Sequence, residues 1–156
     1  MHRRTVLAGM AGLAALGLAT ATLTPAAQAA QSSAWFTKGG HAIGGYDPVA
    51  YHTENRPVKG TADHALQWRG ATWLFASQDN RAVFEADPER FAPQYGGYCA
   101  YAVANGYTAK TDPDAFSVVE GKLYLNYSRR VRRIWERDVP ANISAANTNW
   151  PGLRGQ

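Results

Sequence analysis

The chain has 156 residues, a 46% hydrophobic share, and 16 Lys and Arg against 12 Asp and Glu. That length suits one domain with a real core, and its single cysteine excludes an intramolecular disulfide framework. Two of the 16 bases, Arg3 and Arg4, sit in an N-terminal leader, so 14 then face 12 acids and a nucleic-acid partner is not expected.

The leader, "MHRRTVLAGMAGLAALGLATATLTPAAQAA", has a basic start, an apolar run and small residues around Ala27-Gln28-Ala29, the pattern of a cleavable export signal. Arg3-Arg4 with Val6-Leu7 close behind resembles a twin-arginine signal, the class that carries folded cargo. The apolar run is short for a span and no cysteine follows to accept a lipid. The expectation is a signal over 1–30 and one domain over 31–156, periplasmic or secreted, with no stable membrane insertion.

In the mature part, Asp47 before Pro48 predicts a short helix over 48–53, capped by the carboxylate and started by a residue that needs no amide partner. "TENRPVKG" (53–60) reads as an exposed loop. Alternation over 64–68 and the run 72–76, separated around Arg69-Gly70, predict a hairpin. Ser77 then caps a helix over 78–86, and Asp87-Pro88 starts a last turn near Phe91. "FSVVEGKLYLNYS" predicts a second hairpin turning at Glu120-Gly121. An amphipathic helix follows over about 128–137, with Val131, Ile134 and Trp135 on one face and arginines on much of the rest. "PANISAANTNWPGL" predicts a final short helix ended by Pro151. No internal repeat is visible, and the fold class is α+β: one compact domain of two short hairpins, each followed by a helix, with a C-terminal helical segment.

Chemistry-bearing residues are few. His41, His52, His64 and Cys99 are the mature chain's imidazoles and thiol, and no pair has a ligand spacing such as H-x3-H or C-x2-C. A site would have to be assembled by the fold; His52 and His64 flank one loop. Cys99 lies in "QYGGYCA", where a helix start would lower its pKa and burial would make it a small hydrophobe, so ligand, redox and packing roles all stay open. A Cys-His enzyme with Asp47 or Asn126 as orienting group needs geometry that sequence does not supply. Paired carboxylates for glycosidase work, phosphate-binding glycine loops and nucleophile elbows are absent from the sequence. Tyr46, Tyr51, Tyr95, Tyr98 and Tyr101 concentrate in two blocks and suit either a recognition surface or a core.

The blocks "YDPVAY", "FAS", "DPERFAPQYGGYCA" and "GKLYLN" resemble exported bacterial proteins of the YHS-domain family, over about residues 42–151. The resemblance implies a YHS-like fold and a link to heavy metals through cysteines that related modules carry. Here those positions are Ala50, Ala76 and Asn80, so the resemblance supports the fold and not a thiolate site. Of the residues that name the family, only the serine is placed with assurance, as Ser77.

The expected function is a small exported, non-enzymatic binding protein of the cell envelope. Its expected ligand is a metal ion, copper or another transition metal, with His52, His64 and Cys99 as donors. The alternative is an interaction module that holds an envelope protein or small molecule on a tyrosine-rich surface, and the third reading is a thiol enzyme using Cys99.

Overall fold

The computed structural model describes residues 34–156, and the export signal expected over 1–30 lies outside the described residues. The described residues open with a minimal hairpin, β1 (Thr37–Lys38) and β2 (His41–Ala42). Helix α1 (Pro48–Thr53) follows, then β3 (Thr61–Trp68) and β4 (Ala71–Phe75), α2 (Gln78–Ala86) and α3 (Pro88–Phe91). After a 3-10 turn at Gln94–Gly97 come α4 (Ala100–Ala104), β5 (Asp112–Val119), β6 (Lys122–Asn126), α5 (Arg129–Trp135) and α6 (Val139–Leu153).

Local chemistry explains the boundaries. Asp47 caps α1 with Pro48 in its first turn, and Ser77 and Ser128 cap α2 and α5 by accepting the amides of Asn80 and Val131. Both longer hairpins turn on two residues with positive φ, Arg69-Gly70 at 47° and 77° and Glu120-Gly121 at 50° and 73°. That is the backbone of a type I′ turn, whose twist matches the strands it joins.

The α+β architecture is as expected, with three differences. The polar lead before Asp47 contains the β1–β2 hairpin, so there are three two-stranded sheets among the described residues. Strand β3 starts at Thr61 because the pairing is irregular between Thr61 and Ala65, a bulge that period-2 reading does not follow. The C-terminal helix runs 15 residues and continues through Pro151. A proline so near the helix end removes a single ladder bond, and Trp150 and Leu153 pack the last turns onto the core.

A further difference is architectural: the fold is duplicated. Hairpin β3–β4 with its serine cap and α2 recurs as β5–β6, a serine cap and α5. Each pair has an 8-residue strand, a two-residue turn and a 5-residue strand. The bulge recurs too, between Thr61 and Ala65 in one copy and between Asp112 and Phe116 in the other. Upstream, α1 corresponds to α4. The Asp47 amide donates to the Val58 carbonyl at 2.8 Å, and the Cys99 amide to that of Ala109 at 3.0 Å.

Two aromatic clusters make the core. In the first, Trp73 packs on Trp35 at 5.0 Å and on Phe84 at 5.3 Å between ring centroids, and Leu123 and Leu125 from the second hairpin join it. Trp135, the counterpart of Phe84, centres the second cluster with Tyr124, Val103 and Ala146. Burying each such ring contributes on the order of 2–3 kcal/mol. The Gly96-Gly97 pair lies where backbones meet: a Cβ on Gly96 would stand 2.0 Å from the Ala34 carbonyl oxygen, and one on Gly97 2.6 Å from Ile43 Cγ2. Both glycines also have positive φ, so a side chain there would be strained as well as crowded.

Candidate functional site

Asp47 is the junction of the first copy. Its Oδ1 accepts the amides of Val49 at 2.8 Å and Ala50 at 3.3 Å, while Oδ2 accepts the Ala76 amide at 2.9 Å and Asn80 Nδ2 at 2.7 Å. The residue is fully buried, and a carboxylate out of water needs such donors to offset its desolvation. It therefore fastens α1 to the start of α2. With about four lone-pair directions used by four donors, nothing on Asp47 is left for another ligand.

Cys99 occupies the same place in the second copy. Its Sγ accepts the Tyr127 amide at 3.2 Å, as Asp47 accepts that of Ala76, and donates to Asn126 Oδ1 at 3.6 Å. Asn126 Oδ1 also accepts the Tyr101 amide at 3.1 Å, while its Nδ2 is buried without a partner. The position of Asn80 is taken by Val131, whose side chain has no donor. Where the first copy is closed by an Asn–Asp hydrogen bond, the second has a cleft of about 270 Å3 lined by Cys99, Tyr101, Ala102, Tyr107, Tyr127 and Val131. Burial pushes the Cys99 thiol above its ordinary value of 9.0, against the pull of the backbone amides of Ala102, Tyr127 and Tyr101. That direction favours the thiol over the thiolate, the form that acts as nucleophile.

The histidines sit elsewhere. His52, in the last turn of α1, meets the Phe91 ring edge-on at 5.3 Å. Burial lowers its pKa below 6.5, the hydrogen-bonded Phe91 backbone works the other way, and Arg90 lowers it further. His52 Nε2 is shielded from solvent with no partner. His64 lies in the irregular part of β3, and its Nδ1 is likewise shielded and unpartnered. His41 is half-buried on β2. Among the described residues no three His, Cys, Asp or Glu side chains come together as a metal-binding group, so His52, His64 and Cys99 do not meet in one three-donor site.

The tyrosines singled out in the sequence are mainly packed. Tyr51 donates its hydroxyl to the Pro113 carbonyl at 3.0 Å and Tyr95 to Asn147 Oδ1 at 3.0 Å, and burial raises the pKa of both. Tyr98 lies between Phe36 and Trp150. The exposed tyrosines are Tyr107 at 53% and Tyr127 at 47%, and both line the Cys99 cleft. Sequence reasoning passed over both, and named Asn126 only as an orienting group for a Cys-His pair rather than as the thiol's own partner. Only the fold duplication would have pointed to them, by setting Tyr127 on Ala76.

Residues 49–95 match the model of the YHS domain family, which spans α1 to the 3-10 turn and thus the first copy. No curated protein and no solved structure matches the chain. Ala50, Ala76 and Asn80, which the resemblance aligns with cysteines of related modules, converge on the Asp47 carboxylate, two through their amides and one through its side chain. Those positions hold a satisfied hydrogen-bond network without a thiol, and they do not fit a soft-metal site.

Proposed function

We infer that this chain, matching a YHS domain over residues 49–95, is a small exported, non-enzymatic binding protein of the cell envelope whose metal-related role runs through imidazole. His52 and His64 are the proposed donors and copper the first ion to try. The observation that carries this reading is that His52 Nε2 and His64 Nδ1 are both buried and unpartnered. An unsatisfied buried polar atom costs about 1–3 kcal/mol, which a coordinated ion would offset. Burial also favours neutral His52, the form that coordinates. Cu(II) and Zn(II) both accept imidazole nitrogen, so the reading does not need the thiols the family positions lack.

Titration of the purified protein with Cu(I), Cu(II) and Zn(II), in wild type and in His52→Ala, His64→Ala and Cys99→Ala, tests it. The expected outcome is binding tighter than micromolar that weakens at least about tenfold in each histidine variant and is unchanged in Cys99→Ala. Absence of such binding, or histidine variants that all bind like wild type, overturns it.

The exposure of Tyr107 and Tyr127 beside an apolar cleft supports a second reading, an interaction module that holds an apolar small molecule there. Quenching of tyrosine fluorescence by an apolar ligand, lost in Tyr127→Ala, is its expected signature. The raised pKa of Cys99 weighs against the thiol-enzyme reading.

A further inference from the structure

Two adjoining hollows, of about 580 and 350 Å3, share Phe36, Lys38, Thr111 and Pro113 and form one groove beside the β1–β2 hairpin. Lys110 lines one hollow and Lys59 the other, so three of the chain's four lysines face a single depression. Asp112 is the one carboxylate on its walls, and its Oδ1 already accepts the Asp114 amide at 2.9 Å.

These lysines are left uncompensated. Every ion pair among the described residues uses an arginine: Arg56–Glu54, Arg69–Glu89, Arg81–Glu85, Arg129–Asp114 and Arg132–Glu136. Lys59 and Lys110 are also duplication counterparts, each following the carbonyl that accepts the amide of Asp47 or Cys99. Each ammonium is held over an aromatic ring, Lys59 Nζ 5.6 Å from the Tyr46 centroid and Lys110 Nζ 5.5 Å from that of Tyr127. A ring face positions the charge without consuming its N–H donors. The Thr111 hydroxyl donates to the Gly97 carbonyl at 2.9 Å, which fixes the groove floor against the glycine pair.

We propose that this groove binds a small multivalent oxyanion, a ligand carrying two or more phosphate or carboxylate groups bridged by Lys38, Lys59 and Lys110. Its size is that of a small-molecule site, its three ammonium groups outweigh the one carboxylate of Asp112, and its aromatic and proline walls accommodate the body of such a ligand. Neither His52 nor His64 lines it, so the proposal stands or falls independently of the metal reading.

The test is calorimetric titration of the full protein with pyrophosphate and with citrate at low ionic strength. Lys38→Gln, Lys59→Gln and Lys110→Gln are compared with wild type, and Lys122→Gln serves as control because it lies on β6 outside the groove. Each groove variant is expected to weaken binding about threefold to tenfold while unfolding at the wild-type temperature, and the control to bind unchanged. Tighter binding of pyrophosphate assigns a phosphate ligand and tighter binding of citrate a carboxylate. No binding of either probe, or equal weakening by Lys122→Gln, overturns the proposal.

Discussion

The two copies of the hairpin–helix unit close the same junction by opposite means. In the first, a buried carboxylate, Asp47, collects three amides and an asparagine side chain. In the second, Cys99 draws on the amides of Tyr127, Ala102 and Tyr101, leans on Asn126, and leaves a cleft where the asparagine would be. The backbone scaffold is thus indifferent to which group fills its centre, provided the amide after the strand has an acceptor. The copies differ in what they put at risk: the first depends on a charge that must stay paired, the second on volume and a weak acceptor. That places the stability burden on the first copy and the accessible surface on the second.

Removing Asp47 should therefore have the largest effect. Asp47→Ala strands four donors in a dry junction and is expected to cost about 3–5 kcal/mol in urea unfolding. Asp47→Asn, which keeps the shape but replaces an acceptor with a donor, should cost about half as much. A loss below about 1 kcal/mol for the alanine variant would show that the network is not what closes the first copy.

Rebuilding one junction in the other tests whether the two are equivalent. Cys99→Asp alone buries a carboxylate opposite Val131 and should destabilise by about 2–4 kcal/mol; adding Val131→Asn restores the counterpart of the Asp47–Asn80 bond. A double-mutant cycle should then recover about 1–2 kcal/mol of coupling. Zero coupling would mean the two junctions are not equivalent. Cys99→Ala, by contrast, removes a small group that touches an open cleft, and should cost only about 1 kcal/mol.

The parts of this fold legible in the sequence are those set by single residues acting locally. Asp47-Pro48, Ser77, Arg69-Gly70 and Glu120-Gly121 place helix starts and turns because a cap or a positive φ is a property of one or two positions. The duplication is hard to read in the sequence because its counterparts agree only at scattered positions, such as Gly70 with Gly121, Leu74 with Leu125, Ser77 with Ser128, and Arg81 and Glu85 with Arg132 and Glu136, while most packed positions differ, as Phe84 and Trp135 or Phe75 and Asn126 do. Core positions are chosen jointly with their neighbours, so they drift together and erase the pattern. The candidate site suffered likewise. His52 and His64 were found by residue type, but that each hides an unpartnered nitrogen, that Cys99 stands on Asp47, and that three lysines share a groove are all consequences of which elements meet.

The smallest expected effect concerns pH, and it sets the two copies at opposite edges of the stability profile. His52, in the first copy, has its pKa lowered below 6.5 chiefly by burial, so the unfolded chain binds its proton more readily than the folded one. Its stabilising contribution is complete above 6.5 and is lost as pH falls below that value. Cys99, in the second copy, has its pKa raised above 9.0 by burial, so its contribution is complete below 9.0 and is lost as pH rises beyond it, when the unfolded thiol ionises first. Thermal unfolding followed between about pH 5 and pH 10 in wild type, His52→Gln and Cys99→Ala separates the two. His52→Gln should flatten part of the acid slope and leave the alkaline one, and Cys99→Ala should do the reverse. Because Tyr51, Tyr95 and Tyr124, whose pKa values burial raises, add to the alkaline slope, the difference between wild type and variant is the quantity that counts. A single variant that flattened both edges would mean that the junctions are coupled through the shared core, where Leu123 and Leu125 of the second hairpin enter the first cluster.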